Sequence, residues 1–166
     1  MHRKILTLIV AACVLGLAGC QKKSLNQVSL EAAKHLAEYK ELVSAFSEIQ
    51  NLKSAGDNVN GYWKTRGGSW SKDADATSSI SFDELCRAQS LKAEDVKSLQ
   101  KKLDASGVMQ ICRKGSEIYL LIARNGFAHP GGTTFYVVWS NKSPNELYGE
   151  SKKMVGESNW WVMEVR

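Results

Sequence analysis

The feature that most limits how this chain can fold is a run of apolar residues spaced three and four apart over nearly thirty positions. Leu25, Val28, Ala32, Leu36, Tyr39, Val43, Phe46, Ile49 and Leu52 fall in that rhythm, which places them on one stripe of an α-helix. Ser24 followed three residues later by Gln27 reads as a capping box that starts it. Gly56 ends it, so one long helix is expected from Leu25 to about Ala55. Such a stripe must be covered, either by the protein's own sheet or by a partner's helix, and its own sheet is the expected cover.

The last third of the chain supplies that sheet. Val108 to Arg113, a Lys114-Gly115 turn and Ser116 to Arg124 read as a hairpin, and Thr133 to Ser140 and Trp160 to Val165 add two strands. Leu120, Leu121 and Ile122 are consecutive and apolar, as in a strand covered on both faces. Between helix and sheet, Ser81 with Glu84 forms a second capping box that opens a short helix to Gln89. Ser90 is expected to cap a third helix from Leu91 to Ala105, closed by Gly107. The expected fold class is therefore α+β, a long N-terminal helix and two shorter helices packed on a four-stranded antiparallel sheet. No internal repeat is visible.

Ahead of this domain the chain has a different character. Met1 to Gly19 combine a basic start (His2, Arg3, Lys4), an apolar run from Ile5 to Leu17 and small residues before a cut site, the build of a secretory signal. The run is shorter than the ~20 apolar residues that span a bilayer. The four residues Leu17-Ala18-Gly19-Cys20 resemble the lipobox of bacterial lipoproteins. That resemblance implies cleavage before Cys20, a diacylglycerol on its sulfur and an acyl group on its new amino terminus. It divides the chain into a signal (1–19), an acylated cysteine with a short tether (20–24) and a single periplasmic domain (25–166). Gln21 stands where an aspartate would favour inner-membrane retention in enteric-type lipoproteins, which points to the outer membrane.

Loss of residues 1–19 removes two of the 22 basic residues against 17 acidic ones, lowering the formal charge from +5 to +3. An exported chain with no long basic stripe is not expected to bind nucleic acid. Of four cysteines, Cys13 leaves with the signal and Cys20 carries lipid, so Cys86 and Cys112 remain in an oxidising compartment. Their simplest state there is a disulfide, worth roughly 3 to 4 kcal/mol in the chain-entropy picture; two separate buried thiols are the alternative. His35 and His129 lack ligand spacing to the cysteines, so no metal is expected.

Three stretches are candidates for contact with other molecules. Tyr62, Trp63 and Trp70 flank Gly67-Gly68 in a small expected hairpin, either as recognition residues or as an aromatic lid on the core. Asn125 to Gly132 is a glycine-rich loop carrying Phe127 and His129, and Asn141 to Asn159 is a longer polar loop. No Gly-x-Ser-x-Gly elbow or phosphate-cradling glycine pattern is present. His129 beside Pro130 could act as a base, and Asp73, Asp75, Asp83 and Glu84 could supply carboxylates. These carboxylates lie in a polar aperiodic stretch and at a helix start where capping accounts for Glu84, so neither catalytic residues nor a cofactor are expected. The reading that follows is a non-enzymatic, membrane-anchored binding lipoprotein with a protein partner in the periplasm, such as an inhibitor or immunity protein against a toxin or wall hydrolase. The alternatives are an accessory subunit of an envelope assembly, joined through the helix stripe, and a small-ligand or lipid-binding lipoprotein.

Overall fold

In the computed structural model, Ser24 begins the first helix as the sequence requires: its hydroxyl accepts the Gln27 N–H and the Gln27 side chain accepts the Ser24 N–H at 2.9 Å. The structure describes residues 24–72, 78–125, 132–144, 149–154 and 157–165. The expected long helix is instead two, α1 (Leu25–Lys34) and α2 (Leu36–Glu48), separated at His35, which has φ −104° and ψ 11°. The stripe survives the break. Val28, Ala32, Tyr39, Leu42, Val43 and Phe46 are all buried in the protein's own core, so this face is core and not a free contact surface.

Nor does the helix run to Ala55. It ends at Glu48, Asn51 adopts φ 63°, and the chain turns back as β1 (Ser54–Gly56). The turn is held from outside by Asn60, whose Oδ1 accepts the Lys53 N–H at 2.7 Å and whose Nδ2 donates to the Asn51 carbonyl at 2.8 Å. Gly56 then lies against the backbone of a neighbouring strand, with φ 111° and room for no side chain.

Next come β2 (Asn58–Val59), β3 (Tyr62–Lys64) and β4 (Trp70–Ser71), a small antiparallel sheet in the order β2-β3-β4. The β3–β4 hairpin is the expected one. The second capping box also forms, opening α3 (Phe82–Ala88), with Glu84 accepting the Ser81 N–H at 2.8 Å. Ser90 proves to be a turn residue with φ 54°, and α4 (Ala93–Ser106) starts after Lys92, ending at left-handed Gly107.

The remaining strands are β5 (Gln110–Lys114), β6 (Glu117–Asn125), β7 (Thr133–Trp139), β8 (Gly149–Lys153) and β9 (Trp160–Val165). They join β1 in a six-stranded antiparallel sheet, β1-β5-β6-β7-β9-β8, in place of the four strands expected. The four expected strands are its centre. The two others are edges: β1 is three residues long and β8 is polar, so neither carries the alternation that marks a half-buried strand.

The described helices contribute only to the cluster on one face of this sheet, where Phe46, Leu85, Leu99, Ile111, Leu120, Phe135, Val137 and Val162 meet. Alternation sends the intervening residues to the other face, where Tyr119, Val138 and Met163 form a second cluster. A bulge after Leu121 lets β6 serve both: Leu120 faces the helices, Leu121 faces away, and Ile122 and Ala123 both pack toward the helices.

This layering explains why the expected Cys86–Cys112 disulfide does not form. Cys86 is buried among the helices, Cys112 lies on β5 against the second cluster, and both are free thiols. A bridge needs Cα atoms about 4.4–6.8 Å apart. Here the sheet stands between them.

Candidate partner-binding surface

Of the expected contact residues, Cys20, Phe127 and His129 lie outside the described residues. The aromatic hairpin is described, and its three rings have separate tasks. Trp70 is core: it is 3% exposed, its ring packs 5.8 Å from that of Phe82, and its backbone exchanges hydrogen bonds with Ile80 at 2.8 and 2.9 Å. Tyr62 is half-buried against the same core, with the Lys72 ammonium 5.3 Å from its ring. Trp63 alternates away from both and is 48% exposed.

The exposed indole therefore stands on a stiff mount. It occupies the central strand of the small sheet, paired with Asn58 on one side and Ser71 on the other. The turn beyond it is closed by the Thr65 N–H to the Ser69 carbonyl at 2.8 Å and by the two hydroxyls of these residues at 2.8 Å. Asn58 is itself buried and fixed, accepting from Ser54 Oγ at 2.7 Å and from the Gly61 N–H at 2.9 Å.

A second surface, not singled out from sequence, is the sheet face turned away from the helices. Cys112, Tyr136, Trp161 and Val165 are partly exposed there around the buried Tyr119, Val138 and Met163. Tyr119 and Tyr136 meet edge to face at 6.0 Å. Lys114 holds its ammonium 5.0 Å from the Tyr119 ring, and Lys153 lies 5.9 Å from Trp161. Tyr119 Oη donates to Glu117 at 2.5 Å, Ser140 Oγ donates to the other carboxylate oxygen at 3.0 Å, and the Trp161 indole N–H reaches the Ser140 carbonyl at 3.3 Å. The signal for this face was the doubled apolar parity of β6, β7 and β9, in which both alternating sets are hydrophobic.

Burial, reinforced by the Glu117 carboxylate, pushes the Tyr119 hydroxyl well above its usual range. Burial also raises Tyr136 against the opposing Arg124 charge, and it raises Cys112 against that of Lys114. Cys86 is raised too, by burial and then by Asp83. Both thiols thus stay protonated near neutrality and lack the lowered pKa of an activated nucleophile.

The helical side carries shallow grooves. One of about 320 Å³ is lined by Glu38, Glu41, Leu42 and Lys102, and one of about 410 Å³ by Asp57, Lys64, Asp104 and Met109, among others. Among the described residues no group of His, Cys, Asp or Glu is placed to hold a metal ion, and no helix is long and apolar enough to cross a membrane. Comparison with protein-family models, with curated proteins and with solved structures finds no match to this chain.

Proposed function

We propose that the chain is a lipoprotein held through Cys20 in the outer membrane, facing the periplasm, and that it acts without catalysis by binding a protein partner, as an inhibitor or immunity protein does. The anchor rests on the residues of the signal and lipobox. The binding role rests on one observation, the exposed Trp63 indole on a rigid central strand, with Trp70 buried in the core and Tyr62 half-buried against it. Interface energy concentrates in a few such aromatic anchors, and a pre-ordered one loses little entropy on binding.

Two measurements test the two halves. Labelled palmitate supplied to growing cells should be incorporated in the wild-type chain and not in Cys20→Ser; absence of label from both removes the anchor. A photo-crosslinking residue at position 63 should capture one stoichiometric partner, and Trp63→Ala should weaken that complex at least tenfold while the protein stays folded. A Trp63→Ala protein that keeps full affinity removes the indole from the interface. The accessory-subunit alternative loses its proposed contact, because the helix stripe is occupied by the protein's own core.

A further inference from the structure

We infer that the sheet face opposite the helices docks on anionic lipid head groups, laying β5 to β9 against the bilayer that carries the anchor. The inference rests on the lipoprotein reading above for the presence of that bilayer. Its own ground is the charge and ring pattern of the face. Lys114, Arg124 and Lys153 are exposed and each comes from a different strand; the Lys114 and Lys153 ammonium groups lie over the Tyr119 and Trp161 rings, and Arg124 stands opposite Thr134 on the same face. The cross-strand pairs Cys112↔Tyr119, Tyr119↔Val138, Val138↔Trp161 and Lys153↔Trp161 put two rings and the Lys153 cation in one row across the sheet.

The opposing charge is small. Among the described residues of this face the carboxylate is Glu117, and both its oxygens are engaged, by Tyr119 and Ser140. Glu150 and Glu164 stand at opposing register positions of β8 and β9 on the alternate parity, Glu164 opposite the core residue Phe135. The face is therefore net cationic, spans roughly 20 Å across five strands, and presents amphipathic rings beside long cationic side chains. Tyrosine, tryptophan and lysine at that boundary suit the head-group layer, where rings sit at the interface and ammonium groups meet phosphates. An extended chain from Cys20 to Ser24 reaches at most about 14 Å, which keeps an anchored body beside the membrane.

The test uses the purified full chain with its own anchor, placed in vesicles of phosphatidylcholine alone or with added phosphatidylglycerol, and a water-soluble amine reagent whose products are mapped residue by residue. Docking slows labelling of Lys114 and Lys153 by about fivefold on the anionic vesicles, the effect of one lysine's attraction to such a surface. High salt restores the rate, and Lys101 on α4 labels equally throughout. Equal rates for Lys114 and Lys153 on both vesicles overturn the inference and leave the face to a protein partner. Slowing on both vesicles overturns it in favour of an apolar cover, and concentration-dependent slowing in detergent without vesicles overturns it in favour of a second copy. Flotation separates this outcome from failure of the anchor: a chain lacking lipid leaves the phosphatidylcholine vesicles altogether, whereas an anchored, undocked chain floats with them and labels freely.

Discussion

Replacing Gly56 by alanine tests the account of how the helical layer is joined to the sheet. Gly56 has φ 111°, and a Cβ there would lie 2.3 Å from the Met109 carbonyl oxygen and 2.9 Å from the Gln110 Cα. Both are backbone atoms and cannot rotate aside. The Met109 oxygen also accepts the Asp57 N–H at 3.3 Å, and the Met109 N–H is committed to the Leu121 carbonyl at 2.9 Å, so retreat of this segment disturbs β6 as well. A side chain held at such a φ costs about 1–3 kcal/mol, and each hydrogen bond lost from the β1–β5 edge adds ~0.5–1.5 kcal/mol. Gly56→Ala is thus expected to lose about 3–5 kcal/mol. Gly61 supplies the control: its φ is 89° but nothing lies within 4 Å of its Cβ position, so Gly61→Ala should lose only the dihedral cost of about 1–3 kcal/mol. Urea denaturation followed by circular dichroism measures both, and hydrogen exchange should show the Asp57 amide losing protection in Gly56→Ala alone. Equal losses in the two variants would refute the close approach of β1 to β5 as the cause.

Other outcomes follow from burial and charge. Trp70→Ala, which empties a fully packed site, should destabilise the fold by about 3–5 kcal/mol, whereas Trp63→Ala should cost distinctly less in the same urea titration; equal losses would make both rings core. Peptide mapping after alkylation without reduction should find Cys86 and Cys112 both alkylated, the buried Cys86 only in denaturant and the partly exposed Cys112 in the folded protein as well; a linked pair of peptides would contradict the layered placement. Burial, with help from Glu38, pushes the Tyr39 hydroxyl up to about 12. The folded chain then keeps that proton while the unfolded chain releases it from about pH 10 upward, so stability is fully present below pH 10 and falls between pH 10 and 12. Tyr39→Phe should make the fall shallower, leaving the part due to Tyr119 and Tyr136; an unchanged slope would show that Tyr39 titrates normally.

Local chemistry carried most of what the sequence revealed. Ser24 with Gln27 and Ser81 with Glu84 are complete statements about a helix start, because the atoms that cap and the atoms capped lie within four residues. The aromatic hairpin and the central strands were equally local, read from turn glycines and alternation. What escaped depends on partners far along the chain. The helix ends at Glu48 because Asn60 captures the Asn51–Lys53 turn and β5 offers an edge to Ser54–Gly56. β8 was hidden because an edge strand with lysines lacks the pattern of a half-buried one. The disulfide expectation counted cysteines and compartment but could not see that the sheet separates them. Trp63 and Trp70 looked alike in sequence, and only strand parity distinguishes the outward ring from the inward one.

The bulge in β6 has a bearing on how the chain length can vary. Leu121 pairs with Tyr136 and Ala123 with the adjacent Phe135, leaving Ile122 as the surplus residue between them. Excising Ile122 alone would bring Ala123 directly after Leu121 with every later pair still opposite its present partner. At other points along these central strands, dropping one residue would turn the remainder of the strand over, carrying aromatic rings into water and charges inward. Here the sheet has a built-in splice at which it can shorten without trading its two sides.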